Sequence, residues 1–141
     1  MADIVPTQAV VISGQIKTIT LGEDITILGS LLRYDNTLNS YMLAFSGGTS
    51  AESVVSYLAL ETGLADAQIT VLQPGGIVDL GTVLLAGINY SLSATAGAIR
   101  GAGRIAPSSE LISTNLSSFV GIPRTTSELL FNVLNSRVAI V

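Results

Sequence analysis

A catalytic site in this chain would have to work without histidine and without cysteine, because the sequence contains neither. That removes the commonest general acid–base group near neutral pH, the commonest metal ligand, thiolate nucleophiles and disulfides together. Carboxylates, hydroxyls and one amine, Lys17, remain. The adjacent acids Glu23-Asp24 follow Gly22 between two candidate strands, where a turn calls for polar residues, and a solvated turn is expected there. A serine nucleophile needs a base; Lys17 stands between Ile16 and Thr18 in an alternating strand and is expected to face outward. Gly75-Gly76 and Gly101-Ala102-Gly103 lack the strand-to-helix setting of a phosphate cradle, the latter leading into Arg104-Ile105-Ala106-Pro107. Asp35-Asn36-Thr37 has too few oxygen ligands for calcium and reads as a tight turn. The sequence therefore nominates no catalytic residue, no metal site and no cofactor, and the chain is read as not an enzyme.

Tyr34 and Tyr41 flank one turn and are candidate exposed aromatic contacts, of a kind that can line a sugar site. Tyr57 and Tyr90 fall at matching apolar positions of a weak internal repeat and are expected to pack in the core.

The elements that would carry these residues are short. Bursts of Val, Ile, Thr, Leu and Ser are separated by Gly, Asn, Asp and Pro, which is strand-and-turn patterning. Candidate strands are Ala9–Ile12, Gln15–Thr20, Ile25–Leu28, Leu31–Tyr34, Tyr41–Phe45, Val54–Leu60, Gln68–Leu72, Gly76–Asp79, Asn89–Leu92, Ser118–Ile122, Leu129–Leu134 and Arg137–Ile140. Turns are expected at Asp35-Asn36, Gly47-Gly48, Pro74-Gly75-Gly76, Ala96-Gly97 and Gly101-Ala102-Gly103. Ser50 to Leu60 also has a helical pattern, and Thr125-Thr126-Ser127-Glu128 resembles a helix capping box. The internal repeat decides for strands. Ile19-Thr20-Leu21-Gly22 recurs as Val78-Asp79-Leu80-Gly81, Ser56–Leu60 answers to Ser118–Ile122, and Ile69–Leu72 answers to Phe131–Leu134. The second copy of the Tyr57 segment holds Gly121 and Pro123, which suit a helix badly. The expected fold is all-β: a barrel or sandwich of two similar short-strand units, 15–75 and 76–141, in one compact domain. Residues 1–14 precede them as an extended N-terminal arm. In it Ile4, Val5, Pro6, Val10, Val11 and Ile12 are candidate partner contacts. The arm either adds a strand to a neighbour or forms the first strand of its own sheet.

Composition points to partners. Of the 141 residues, 48% are hydrophobic and only 11% charged, against about 25% charged in ordinary soluble domains. Surfaces between subunits are depleted in charge in this way, so oligomerisation or permanent docking is expected. The net charge is −4 and the five arginines are scattered, which leaves no basic footprint for nucleic acid. Apolar runs are too short to span a bilayer, and Met1-Ala2-Asp3 does not begin a secretory signal. The chain is read as made in the cytoplasm, with no membrane partner.

One stretch carries a family resemblance. Ala86-Gly87-Ile88-Asn89-Tyr90-Ser91-Leu92-Ser93-Ala94-Thr95-Ala96-Gly97-Ala98-Ile99 resembles a phrase of bacteriophage virion proteins. Ala106-Pro107, Phe119-Val120-Gly121-Ile122 and Glu128-Leu129-Leu130-Phe131 follow it in the same order. Upstream, Leu58–Glu61 and Ala67–Leu72 with Gly76 are similar to a phrase of capsid cement, or decoration, proteins. The resemblance spans about residues 20–135, and its motifs are shared with tail-fibre and spike modules. It implies a small β protein that forms a homotrimer, binds the major capsid protein on the outer surface of the capsid, and reinforces the shell against internal DNA pressure. A tail, collar or fibre component is the alternative within the virion. A carbohydrate-binding β module using Tyr34 and Tyr41 is the alternative of another class.

Overall fold

The computed structural model describes residues 6–44, 54–82, 84, 87–92, 103–107 and 116–139. Among them it is all-β, with eleven strands and no helix. The strands are β1 (Val10–Ser13), β2 (Ile16–Thr20), β3 (Leu31–Asp35), β4 (Ser40–Leu43), β5 (Tyr57–Ala59), β6 (Gln68–Leu72), β7 (Gly76–Asp79), β8 (Tyr90–Leu92), β9 (Ile105–Pro107), β10 (Leu116–Pro123) and β11 (Glu128–Ala139). They form two antiparallel sheets in a sandwich-like arrangement, ordered β2-β6-β5-β3-β4 and β1-β7-β11-β10-β8-β9. The barrel alternative is corrected by this arrangement. Among the described residues the edges of the first sheet meet at a parallel bridge between Leu21 and Tyr41, where the Gly22 N–H donates to the Tyr41 carbonyl at 2.8 Å.

The two sheets are wired alike. Taken in chain order, the strands β2 to β6 and the strands β7 to β11 follow the same spatial sequence, first-fifth-fourth-second-third. The matching extends to single bonds. The Leu21 N–H donates to the Ala67 carbonyl just before β6, and the Leu80 N–H donates to the Ser127 carbonyl just before β11, both at 2.9 Å. Thr20 faces Gln68 and Asp79 faces Glu128, so Phe131 answers to Val71 and not to Ile69.

Equivalent faces nevertheless meet different things. Ile19, Leu21, Leu32, Ile69 and Val71 fill a small core inside the curl of the first sheet. Their equivalents Val78, Leu80, Tyr90, Leu129 and Phe131 lie in a larger core against the opposite face of the first sheet, which contributes Leu31, Leu58 and Leu72. The first sheet is thus apolar on both sides, which explains why Leu31-Leu32 and Val71-Leu72 break the usual alternation.

A corner joins the sheets. β1 pairs with β7 in one sheet, and β2 pairs with β6 in the other, so residues 10–20 and 68–79 make one antiparallel ribbon that crosses between them. The Gln73 N–H donates to the Gln15 carbonyl at the crossing. Gly14 there has φ +122°, and a Cβ on it would lie 2.6 Å from the Cα of Gly76. Only glycine allows this approach.

Several sequence expectations need correction. Ile25–Leu28 is not a strand; Ile25 makes one bridge, to Gly63. The two candidate strands after Leu129 are one continuous strand, β11, bent by a bulge in its pairing with β10. Thr125 does cap, its Oγ1 accepting the N–H groups of Ser127 at 3.3 Å and Glu128 at 3.1 Å, but the chain leaves as a strand because Leu129 and Phe131 alternate into the core. Ile4, Val5 and the turns expected at Gly47-Gly48 and Ala96-Gly97 lie outside the described residues.

Candidate functional site

Two surfaces gather the residues that the sequence singled out. The first lies on the outer face of the second sheet. Val78, Leu129 and Phe131 turn inward, so alternation sends Ile77 and Leu130 outward. Cross-strand pairing aligns Ile77 with Leu130 and Leu130 with Ile122. β1 extends the row, since Val11 packs on the core while Val10 and Ile12 point away from it, 50% and 46% exposed. Ile122 closes the other end at 43% exposed. An apolar row, half-buried Ile77 and Leu130 then exposed Ile122, therefore crosses three strands of the outer face, and Ile12 stands beside it at the bulge where Ser13 is the β1 partner of Ile77. Asp79 and Glu128, paired across the ladder, form its polar border, with Arg124 3.5 Å from Glu128.

β1 belongs to the protein's own sheet. Val10 pairs with Asp79 and Val11 with Val78, and Thr7 is tied down by its N–H to the Leu80 carbonyl at 3.0 Å. Pro6 packs beside Gly29, near Leu80. Of the candidate arm contacts, Val10 and Ile12 are outward, Val11 is half-buried, and Pro6 belongs to a packed turn.

The second surface is a tyrosine row on the first sheet. Tyr34 and Tyr41 are cross-strand partners, their rings 5.2 Å apart and near T-shaped. Tyr41 reaches Tyr57 at 5.4 Å, and the Lys17 ammonium sits 5.6 Å from the Tyr57 ring centroid and 3.4 Å from its hydroxyl. The sequence missed this grouping, because Lys17 and Tyr57 come from strands far apart in the chain. Tyr57 is half-buried at the rim of the inner core and not inside it, whereas Tyr90 is fully buried as expected. Burial, then the neighbouring Tyr57, pushes the Tyr41 phenol above its ordinary pKa. The Tyr34 hydroxyl donates to Asn39 Oδ1 at 3.0 Å, which steadies the exposed end of the row.

The acidic pair has structural duties. Glu23 Oε2 accepts the Leu43 N–H at 2.9 Å and Asp24 Oδ1 accepts the Ala65 N–H at 2.8 Å. The turn is therefore anchored to β4 and to the loop before β6, and the solvated-turn expectation is corrected on that point. A cleft of about 230 Å³ beside it has Glu23, Asp24, Ser30 and Arg104 on its walls, so both carboxylates there are already engaged by backbone. Asp35 Oδ1 accepts the N–H groups of Thr37 at 2.8 Å and Leu38 at 3.1 Å, making the β3–β4 turn an Asx turn. The Leu38 bond in particular holds the Asp35 carboxyl below its usual pKa.

No family model matches the chain, and no curated protein or solved structure matches it either.

Proposed function

We propose that this chain is a structural virion protein, without enzymatic activity, that binds the outside of a phage capsid and stabilises the shell as a homotrimeric cement. The observation that carries the reading is the apolar row Ile77–Leu130–Ile122 on the outer sheet face, half-buried at its first two positions, with exposed Ile12 at the bulge beside it. A charge-poor chain that spends apolar side chains on an outward face is suited to contact, not to solvation. The phrase around Tyr90 and its ordered companions downstream add the phage virion context. A cement works by mass action, since a protein that binds only the assembled lattice stabilises that lattice. Its test is addition of the purified chain to expanded empty shells made from the major capsid protein. Binding with a raised shell melting temperature is expected, and antibody labelling should mark heads; no binding and no shift, or labelling of tails alone, overturns the reading.

A second reading has its own observation in the tyrosine row with Lys17, since neighbouring tyrosines beside an amine offer apolar and hydrogen-bonding contacts to a sugar. A glycan array that lights up, and goes dark with Tyr41→Ala, would favour it over the cement.

A further inference from the structure

The like wiring of the two sheets makes their edges comparable. In the second sheet the outer edge of β7 is covered by β1. In the first, β2 holds the equivalent place, and among the described residues no strand is paired on its outer side from Ile16 to Ile19; beyond that β4 meets this edge at the Leu21–Tyr41 bridge. The direction of its free groups follows from the ladder. The Gln15 carbonyl accepts from Gln73, and the Leu21 N–H donates to Ala67, so the odd-numbered residues of β2 face β6. The N–H and C=O groups of Ile16 and Thr18 therefore face outward with no strand opposite, and at Thr20 the edge reaches its bridge with β4. Gly22, next in that series, confirms the direction by donating to Tyr41. Ile16, at the open end, is 58% exposed.

A second bare ladder lies near the other end of the chain. β11 runs from Glu128 to Ala139, but β7 covers only Glu128 to Phe131. Beyond Phe131 the strand pairs with β10 alone, and among the described residues its other edge carries no strand. Exposed edges of this kind are normally blunted by proline or outward charge. Neither segment contains proline; the amine of Lys17 is turned toward Tyr57, and Arg137 is the one charged residue of the β11 extension.

We infer that β2 of one copy accepts the outer edge of the β11 extension of a second copy, in an antiparallel, head-to-tail contact. Each chain then has one acceptor edge and one donor edge, so the interface is heterologous and closes only as a ring. Main-chain bonds supply the affinity, as in other strand additions. The register is restricted: Thr18 opposite Ser136 would set Lys17 opposite Arg137, and like charges in that position repel. Thr18 opposite Leu134 or Val138 avoids this. The inference deepens the self-association part of the function proposed above and rests on that part alone; it does not require a capsid.

The absence of cysteine gives a clean background for disulfide mapping. Thr18→Cys is combined in turn with Leu134→Cys, Ser136→Cys and Val138→Cys, oxidised in dilute solution and separated without reductant. A covalent ladder ending at a trimer is expected for the Leu134 or Val138 partner, and no dimer from Thr18→Cys alone. Dimers from Thr18→Cys alone would mean β2 pairs with β2 and would overturn the inference, as would the absence of any intermolecular bond in all three pairs. Thr18→Pro gives an independent readout. It deletes an outward N–H and leaves the bonds to β6 in place, so self-association measured by light scattering should weaken at least tenfold with an unchanged far-UV spectrum. An oligomer of undiminished affinity in a folded Thr18→Pro variant sinks the edge contact and leaves self-association standing. A wild-type chain that is monomeric at every concentration removes both.

Discussion

Replacing Gly14 and Gly75 separately by alanine isolates what the corner between the sheets demands. The two glycines lie on facing strands of the crossing ribbon, with φ of +122° and +101°. An L side chain at either position is forced into a sparsely populated conformation, at about 1–3 kcal/mol. Space distinguishes them. Nothing lies within 4 Å of a Cβ placed on Gly75, whereas one on Gly14 would meet the Gly76 Cα at 2.6 Å and Leu72 Cδ1 at 3.2 Å. The nearer obstacle is backbone and cannot rotate aside. The ribbon must part at the point where β1 and β2 change sheets, and Leu72, fully buried, must shift with it. Overpacking of this kind adds about 1–3 kcal/mol. Gly75→Ala should therefore lose about 1–3 kcal/mol in urea unfolding at unchanged slope, and Gly14→Ala about 2 kcal/mol more. For a chain of this length the difference corresponds to about 6 °C in melting temperature. Equal losses for the two variants, or a milder one for Gly14→Ala, would refute the claim that the corner is held by close approach and not merely by backbone conformation.

Other perturbations should separate core from surface and acid from base. Phe131→Ala, at a fully buried position of the shared core, should cost about 3–5 kcal/mol in urea unfolding, whereas Leu64→Ala, largely exposed, should stay within about 0.5 kcal/mol. Backbone N–H donors hold three carboxyls below their ordinary pKa: chiefly Leu38 at Asp35, Thr70 at Glu61 and Gly81 at Asp79. Because the folded values are the lower ones, their contribution is present above the ordinary carboxyl pKa and lost as pH falls through the folded values, so urea midpoints should drop below about pH 4. Asp79→Asn should flatten that drop. In alkaline difference spectroscopy Tyr41 should ionise later than an ordinary phenol, whose pKa is about 10, and Tyr41→Phe should lower the amplitude of the late ionisation; stability tied to it is present below that value and lost as pH rises past it.

How much of this was legible follows from the range of each signal. Period-two alternation is local, so β2, β6 and β7 could be read from Gln15–Thr20, Gln68–Leu72 and Gly76–Asp79. The repeat Ile19–Gly22 and Val78–Gly81 was also legible, and the structure gives it physical content in the matched Leu21 and Leu80 bonds. Ile25–Leu28 misled because an apolar run resembles a strand even where only Ile25 is paired. β9 at Ile105–Pro107 was missed, because three residues beside a proline carry too little pattern. The tyrosine row could not be assembled, since it depends on β5 and β3 being neighbours. For the acidic pair, charge suggested solvent, while the partners of Glu23 and Asp24 are N–H groups of remote segments.

The repeat also allows a comparison of matched ladder positions that bears on function. Given the matched ladders, Ile77 of the second sheet occupies the position of Thr18 in the first, and Leu130 that of Thr70. The ladder positions match and the surroundings differ: Thr18 and Thr70 share their face with Leu72, which packs between the sheets, whereas Ile77 and Leu130 face away from the other sheet. Thr18 is exposed and polar, and Thr70 half-buried and polar; Ile77 and Leu130 are half-buried and apolar, on a face that no other described strand covers. Stability alone would favour the reverse, because apolar groups gain little on a face open to water. The departure is explained if that face is covered when the protein works. Putting the residues of the first sheet into the second, as Ile77→Thr with Leu130→Thr, leaves β-branched side chains at both positions and should cost about 1 kcal/mol per half-buried position. The doubly substituted chain should remain folded, with its oligomeric state unchanged, and bind expanded shells at least tenfold more weakly. Undiminished shell binding by that variant would show that the apolar row is not the docking face, and the cement reading would lose the observation on which it stands.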